Sequence, residues 1–137
     1  MNRAGRQKGK QGTSTLEFVV VLPTLLFVLF AIMELSRAWL TVNIVTTASR
    51  EGARTGSVTP PLEGDVFDPA AAENRIEEIL EAANLSANEG TGVACATPCV
   101  TGSEVEANVR VTFNTVLPFL PMLTGLDINR STIMRYE

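Results

Sequence analysis

Residues 18 to 33 read FVVVLPTLLFVLFAIM, sixteen consecutive positions without a charged side chain. After Glu34 the apolar character resumes with Leu35, Ala38, Trp39 and Leu40. A helix rises ~1.5 Å per residue, so the uncharged run is about 24 Å long, whereas the hydrocarbon core of a bilayer is about 30 Å thick. A helix that spans a membrane here must therefore include part of a flanking segment.

Three structures are compatible with such a run: a retained transmembrane helix, a cleaved secretory signal, and the core helix of a soluble protein. A small body could hardly surround a helix that is apolar on every face, which disfavours the core helix. Ser36-Arg37-Ala38 supplies the small residues of a signal cleavage site. However, the run exceeds the usual length of a signal's apolar region, and Glu34 follows it at once. A retained helix is the favoured interpretation.

The charges on either side of the run predict its orientation. Arg37, partly offset by Glu34, is the only cation within fifteen residues behind the run. Four cations precede it: Arg3, Arg6, Lys8 and Lys10. By the positive-inside rule the N-terminus lies in the cytoplasm and everything after about residue 40 lies outside. This predicts a single-pass protein of the cytoplasmic (inner) membrane.

The composition of the remaining chain disfavours several functions. Residues 13 to 137 carry 7 basic and 15 acidic groups without a continuous basic patch, so nucleic acid is not an expected partner. The chain has no His and its only lysines are Lys8 and Lys10, so the body lacks an imidazole base and an amine nucleophile. Glu77, Glu78 and Glu81 read as the solvated face of an amphipathic helix. We therefore expect neither an enzyme nor a bound cofactor.

The residues just before the apolar run form a second pattern: Gly12, then Thr13, then Glu17 at the edge of the run. A carboxylate there either sits at the interface or has a partner. The spacing resembles the processing site of type IV prepilins, in which a short basic leader ends in Gly and Glu is fifth in the mature chain. The resemblance implies that a prepilin peptidase cuts between Gly12 and Thr13. Glu17 would then pair with the new α-amine, and Thr13 stands where many type IV pilins have Phe.

A narrower resemblance covers residues 12 to 54 and the end of the sequence. Its pieces are Glu17-Phe18, Val21-Leu22-Pro23, Met33-Glu34-Leu35-Ser36-Arg37, Ala48-Ser49-Arg50-Glu51-Gly52-Ala53-Arg54 and Met134-Arg135-Tyr136-Glu137. Together they are similar to the TadE-like family. The resemblance implies a pseudopilin or minor pilin of the Flp/Tad tight-adherence pilus, with other pilin subunits and the assembly machinery as partners. Phe18, Pro23, Glu34 and Arg37 would belong to its assembly helix.

Residues 13 to 55 predict one long helix, which follows a leader at residues 1 to 12. Pro23 removes one backbone hydrogen bond within it and predicts a local kink. Arg50 and Arg54 share a helix face, where they either complement the C-terminal dipole or contact a partner. Gly52 or Gly56 is available as a stop.

The rest of the chain predicts a linker at residues 56 to 67 and a small extracytoplasmic domain at residues 68 to 137. Asp68-Pro69 predicts a helix start, with an end near Asn84 and a buried face of Ile76, Ile79, Leu80 and Ala83. Val105, Ala107, Val109, Val111 and Phe113 alternate with polar residues, which predicts a strand buried on one face. Residues 126 to 135 predict its antiparallel partner, and residues 93 to 96 a short third strand.

Cys95 and Cys99 are the only cysteines. Two ligands without His or further Cys cannot complete a tetrahedral zinc site within one chain, so no metal is expected. A CxxxC redox site would lack the usual thiol-activating His or Lys. A disulfide, worth about 2 kcal/mol for a five-residue loop, is the preferred interpretation.

The sequence thus predicts an α+β, pilin-like protein: a long N-terminal membrane-spanning helix followed by one helix and a two- to three-stranded antiparallel sheet. The favoured function is that of a TadE-like pseudopilin or minor pilin. The rival is a bitopic envelope protein whose external domain binds a partner, and in which Gly12 and Glu17 are coincidental.

Overall fold

The computed structural model describes residues 11–60, 62, 66–96, 98–116 and 125–137, with side chains from residue 17 onward. Its elements are α1 (Gln11–Val58), α2 (Ala70–Ala82), β1 (Gly92–Cys95), β2 (Glu104–Phe113) and β3 (Leu126–Arg135). The predicted α+β arrangement is confirmed. Contacts divide the chain into two compact units, Met1–Ser36 and Arg37–Glu137, and α1 contributes to both.

In the first unit, α1 is continuous through Pro23. Hydroxyl groups on this helix bond to backbone carbonyls one turn earlier: Thr24 Oγ1 donates to the Val20 carbonyl at 3.3 Å and Ser36 Oγ to the Ile32 carbonyl at 2.9 Å. These bonds satisfy the hydroxyls within the helix itself, so neither side chain requires a polar partner elsewhere.

The second unit contains a three-stranded antiparallel sheet in the order β1-β2-β3. Val93 pairs with Ala107 on one side of β2, and Val105 pairs with Met134 on the other. The strand at 126 to 135 therefore has the predicted bounds and partner. The third strand begins one residue before the predicted 93 to 96 and ends at Cys95.

One face of the sheet forms the core of this unit. The five β2 residues predicted to be buried are all between 0 and 3% exposed: Val105, Ala107, Val109, Val111 and Phe113. They pack with Ile76 and Leu80 of α2 and with Val45 and Ala48 of α1 in one cluster. The core thus combines residues from one face of the helix α1 with alternate residues of the strand β2.

The helix α2 begins as the Asp68-Pro69 pair predicts. Pro69 has helical backbone angles, φ −76° and ψ −16°, and Asp68 Oδ1 accepts a 2.9 Å hydrogen bond from the Ala70 amide. Ile76 and Leu80 are buried, whereas the predicted Ile79 and Ala83 are only half-buried. The helix ends at Ala82, close to the predicted Asn84, whose φ is +56°.

The expected helix stops in α1 are wrong. The helix runs through Gly52 and Gly56 and ends at Val58. Both glycines instead permit close packing, since a Cβ at Gly52 would lie 2.5 Å from Ile76 Cδ1 and one at Gly56 would lie 3.1 Å from Val105 Cγ1. The missing side chains let the helix backbone approach the sheet and α2.

Candidate assembly surface

The most conspicuous surface of the first unit is apolar. Of the sixteen residues from Phe18 to Met33, all are exposed except Ala31, which is half-buried. Phe18 is 63% exposed and Val20 70% exposed. An uncovered apolar surface of this extent requires an apolar environment outside the chain. Among the described residues, this one helix is long and apolar enough to cross a membrane, and its exposure is unlike that of a soluble protein's core helix, which is mostly buried.

The predicted processing site lies at the start of α1. Gly12 and Thr13 are helical, but the Thr13 side chain and residues 1 to 10 of the leader lie outside the described part of the chain. Glu17 is exposed. The pair between Glu17 and the amine of Thr13 therefore stays a prediction.

The segment from Ala48 to Arg54 is divided between the two sides of α1. Its small residues face the core: Ala48, Ser49 and Ala53 are 0% exposed, and Gly52 is buried with them. Ser49 Oγ lies 2.8 Å from Thr132 Oγ1 of β3, so the buried hydroxyl is hydrogen-bonded across the core. The charged residues of the segment lie on the opposite side.

Those charged residues are Arg50, Glu51 and Arg54. Arg50 is exposed, and the Arg54 guanidinium lies 3.9 Å from the Glu51 carboxylate, with the Arg54 side chain 72% exposed. The last turn of α1 contains no basic residue, so the interpretation of Arg50 and Arg54 as dipole caps is wrong. The interpretation as partner contacts stays a prediction.

An ordered pattern of small buried residues, exposed arginines and a preceding apolar run thus occupies one helix. Residues 12–54 match the TadE-like protein family. The match covers about a third of the chain and confirms the resemblance predicted from the motifs. No curated protein and no solved structure matches the chain.

The TadE-like segment includes Glu34 and Arg37, which belong to different units. Glu34 is only 2% exposed, although it follows an apolar run. In the second unit, Arg37 places its guanidinium carbon 5.5 Å from the centre of the Phe113 ring, within the range of a cation–π contact. Arg37 therefore lies at the end of the sheet where β2 finishes.

Beyond the TadE-like segment, a disulfide joins Cys95 to Cys99. It closes the turn that follows β1, and Thr97 within this turn lies outside the described residues. Ser103 Oγ braces the same turn, because it donates to the Pro98 carbonyl and accepts from the Val100 amide, both at 3.0 Å. Both cysteines are half-buried and pack against the core.

Tyr136 stabilises the second unit, a role that the sequence analysis did not predict; there Tyr136 appeared only in the Met134-Arg135-Tyr136-Glu137 ending that resembles the TadE-like family. Its ring is 7% exposed, and its hydroxyl donates a 2.8 Å hydrogen bond to the Thr59 carbonyl just beyond α1. The ring also meets Phe67 edge to face, with 6.3 Å between centroids. A lone aromatic residue after a strand is the one local signal of this role, and nothing in its spacing identifies the partner.

The acidic residues of α2 remain on the solvent side. Glu77, Glu78 and Glu81 are exposed, and Arg75 holds Glu78 in a 2.6 Å surface ion pair. Within the described ranges, no group of three His, Cys, Asp or Glu side chains is placed to hold a metal ion. The candidate functional surface is α1, which carries the exposed apolar run and the exposed Arg50 and Arg54.

Proposed function

We propose that this protein is a pilin-like, TadE-like subunit, a pseudopilin or minor pilin, that contributes to assembly of a Flp/Tad-type pilus. The observation that carries the proposal is the exposed apolar surface of α1 from Phe18 to Met33, within the segment that matches the TadE-like family. The protein acts by inserting this helix among equivalent helices of other subunits, and it is not an enzyme.

In this proposal two successive parts of α1 have different partners. The apolar surface packs first against lipid and then against neighbouring helices. Further along, Arg50 and Arg54 project from the side that faces away from the core and are available to acidic groups of a neighbouring subunit. The helix stays anchored in the cytoplasmic membrane, with its N-terminus in the cytoplasm and residues 68 to 137 outside.

Maturation tests the proposal directly. A prepilin peptidase that removes residues 1 to 12 leaves a chain that begins at Thr13 and retains the anchor. We expect Gly12→Leu to block this cleavage and the precursor to accumulate in the membrane, because the larger side chain occupies the position next to the scissile bond. Gly9→Leu is the matched control, since it introduces the same side chain within the leader but away from the cut.

Mass spectrometry of the N-terminus, in cells with and without the peptidase, measures the result. A chain that begins at Thr13 only when the peptidase is present supports the proposal. A chain that begins at Met1 or Asn2 supports the unprocessed envelope protein, and one that begins at Trp39 identifies a secretory signal. Normal maturation of Gly12→Leu would contradict cleavage at this site.

A further inference from the structure

The outward side of α1 changes from apolar to polar within about one turn in the second unit. Trp39 is 68% exposed and Leu40 59% exposed. One turn later the exposed residue is Asn43, followed by Thr47 and Arg50. Residues spaced by three or four share a helix face, so Trp39, Asn43, Thr47 and Arg50 lie along one side of α1. The change in polarity therefore falls between Leu40 and Asn43.

The core of the second unit covers only the opposite side of α1. Thr41 is 6% exposed and Val45 0% exposed, and Ala38 packs against the same core. Trp39 and Leu40 take no part in that packing, although a Trp ring is among the most costly side chains to leave in water. Something other than the described core must cover them.

Two neighbouring positions make the same end of the unit apolar. Arg37 stacks on Phe113, which places this part of α1 beside the end of β2. Leu126 is paired with Phe113 in the sheet and is 47% exposed, and Val116 is 71% exposed. The exposed apolar side chains at this end thus come from the helix, from β3 and from the residues after β2.

The position of Trp39 along α1 matches the thickness of a bilayer. The twenty-one residues from Phe18 to Ala38 rise about 32 Å at ~1.5 Å each, compared with a hydrocarbon core of about 30 Å. A span that begins at Phe18 therefore ends just before Trp39. Trp and Tyr are enriched at this depth because the ring is apolar while the indole N–H bonds to water or headgroups.

We propose that Trp39 and Leu40 lie in the outer membrane–water interface, so that the Phe113–Leu126 end of the sheet rests on the lipid headgroups. The partner of this surface is the bilayer itself, whose outer headgroups contact the Phe113–Leu126 end of the sheet. The inference rests on the proposed function only in requiring that α1 be retained in the membrane. It fixes which end of the external unit faces the lipid.

The chain offers an internal probe, because Trp39 is its only tryptophan. The full chain is reconstituted in phosphatidylcholine–phosphatidylglycerol vesicles that contain lipids brominated at shallow or deep acyl positions. We expect blue-shifted emission, stronger quenching by the shallow bromines than by the deep ones, and weak quenching by acrylamide. The matched control is the double variant Trp39→Phe with Asn43→Trp, which moves the probe ~6 Å along the same face. In this control we expect loss of the bromolipid quenching and a gain of acrylamide quenching.

Resistance of the chain to alkaline extraction measures whether α1 is inserted in the bilayer, independently of the position of Trp39. If the chain is extracted, α1 is not retained, and both the inference and the proposed function fail. If the chain resists extraction but Trp39 is quenched by acrylamide and not by bromolipid, the interfacial position alone is overturned. Protection of Trp39 from both quenchers would also overturn it, because it would show that a neighbouring protein surface covers the ring.

Discussion

At the scale of single residues, Gly52 and Gly56 decide how closely α1 approaches its neighbours. A glycine inside a helix costs about 1 kcal/mol relative to alanine, so two of them four residues apart require a compensating contact. That contact is with Ile76 for Gly52, and with Val93 and Val105 for Gly56. The stabilisation comes from the packing that the absent side chains permit.

Gly52→Ala should destabilise the second unit, whereas Gly56→Ala should be nearly neutral. The new Cβ at position 52 would meet Ile76 Cδ1 at 2.5 Å and Cγ1 at 2.6 Å, so the buried Ile76 side chain, which is 1% exposed, would have to shift within the core. Overpacking of this kind costs about 1 to 3 kcal/mol, more than the ~1 kcal/mol gained in helix propensity. At position 56 the nearest contacts are at 3.1 Å, and the two effects nearly cancel.

Urea unfolding of the full chain in detergent micelles measures the difference in the free energy of unfolding. Combining Gly52→Ala with Ile76→Ala makes a double-mutant cycle in which the cost of Gly52→Ala should shrink, because the clashing atoms are gone. An equal cost in both backgrounds would show that the clash with Ile76 is not the cause.

The sequence indicated these glycines but assigned them the wrong role. Gly52 and Gly56 were expected to stop the helix because glycine is common at C-caps. What decides between a cap and a close contact is the surface opposite, and Ile76 is 24 residues away along the chain. The four-residue repeat of small residues at Ala48, Gly52 and Gly56 was the sequence signal that could have separated the two.

At the scale of elements, the sheet was the most predictable part. The alternation from Val105 to Phe113 predicted the buried face of β2, because a strict period of two is typical of a half-buried strand and of little else. β3 also has the predicted bounds. Helix ends were less predictable. The three extra residues of α1 beyond Thr55 extend it to the position where Glu137 N donates to the Ser57 carbonyl at 3.0 Å. Local sequence carries no information about such a distant contact.

The turn closed by Cys95 and Cys99 yields a prediction at this scale. In membranes isolated without reductant, an alkylating reagent should label neither cysteine, because the disulfide forms once the turn reaches an oxidising exterior. After reduction both should label, and Cys99→Ser should expose one labelled thiol at Cys95.

Losing the bond should lower the free energy of unfolding by about 2 kcal/mol, because the closed loop is only five residues long. Stoichiometric labelling of both cysteines in the wild-type chain before reduction would contradict the prediction, and would place residues 68 to 137 in a reducing compartment.

At the scale of the whole molecule, a substitution of Glu17 can distinguish the requirements of processing from those of assembly. If its carboxylate pairs with the amine of Thr13 in the low dielectric of packed helices, Glu17→Gln should leave cleavage after Gly12 intact. It should nevertheless weaken incorporation into the pilus complex. Removing one partner of a buried ion pair costs about 3 to 5 kcal/mol, whereas an exposed carboxylate contributes well under about 1 kcal/mol.

Co-purification with other pilus subunits, together with counts of surface pili, measures the effect. Glu78→Gln is the matched control, since it makes the same change on the solvated face of α2, where the side chain is 69% exposed. Wild-type recovery of partners with Glu17→Gln would show that Glu17 lies at the membrane interface without a partner.

The candidate surface was largely predictable from the sequence, because an uncharged run and its flanking charges carry the membrane signal locally. The division of residues 48 to 54 into buried and exposed sides was not, because it depends on where the sheet and α2 pack. Ser49 illustrates this: its partner Thr132 is 83 residues away, and no local pattern distinguishes a buried serine from an exposed one.

The bond from Tyr136 to Thr59 has a consequence for how the protein is made. It joins residues 77 positions apart, so at ~5 to 20 residues per second the ribosome delivers Tyr136 about 4 to 15 seconds after Thr59. Until β1 and β2 have been translated, the small-residue face of α1 has no partner strand. The apolar part of α1 is therefore complete well before the second unit, whose chain must be translated past Tyr136 before this bond can form.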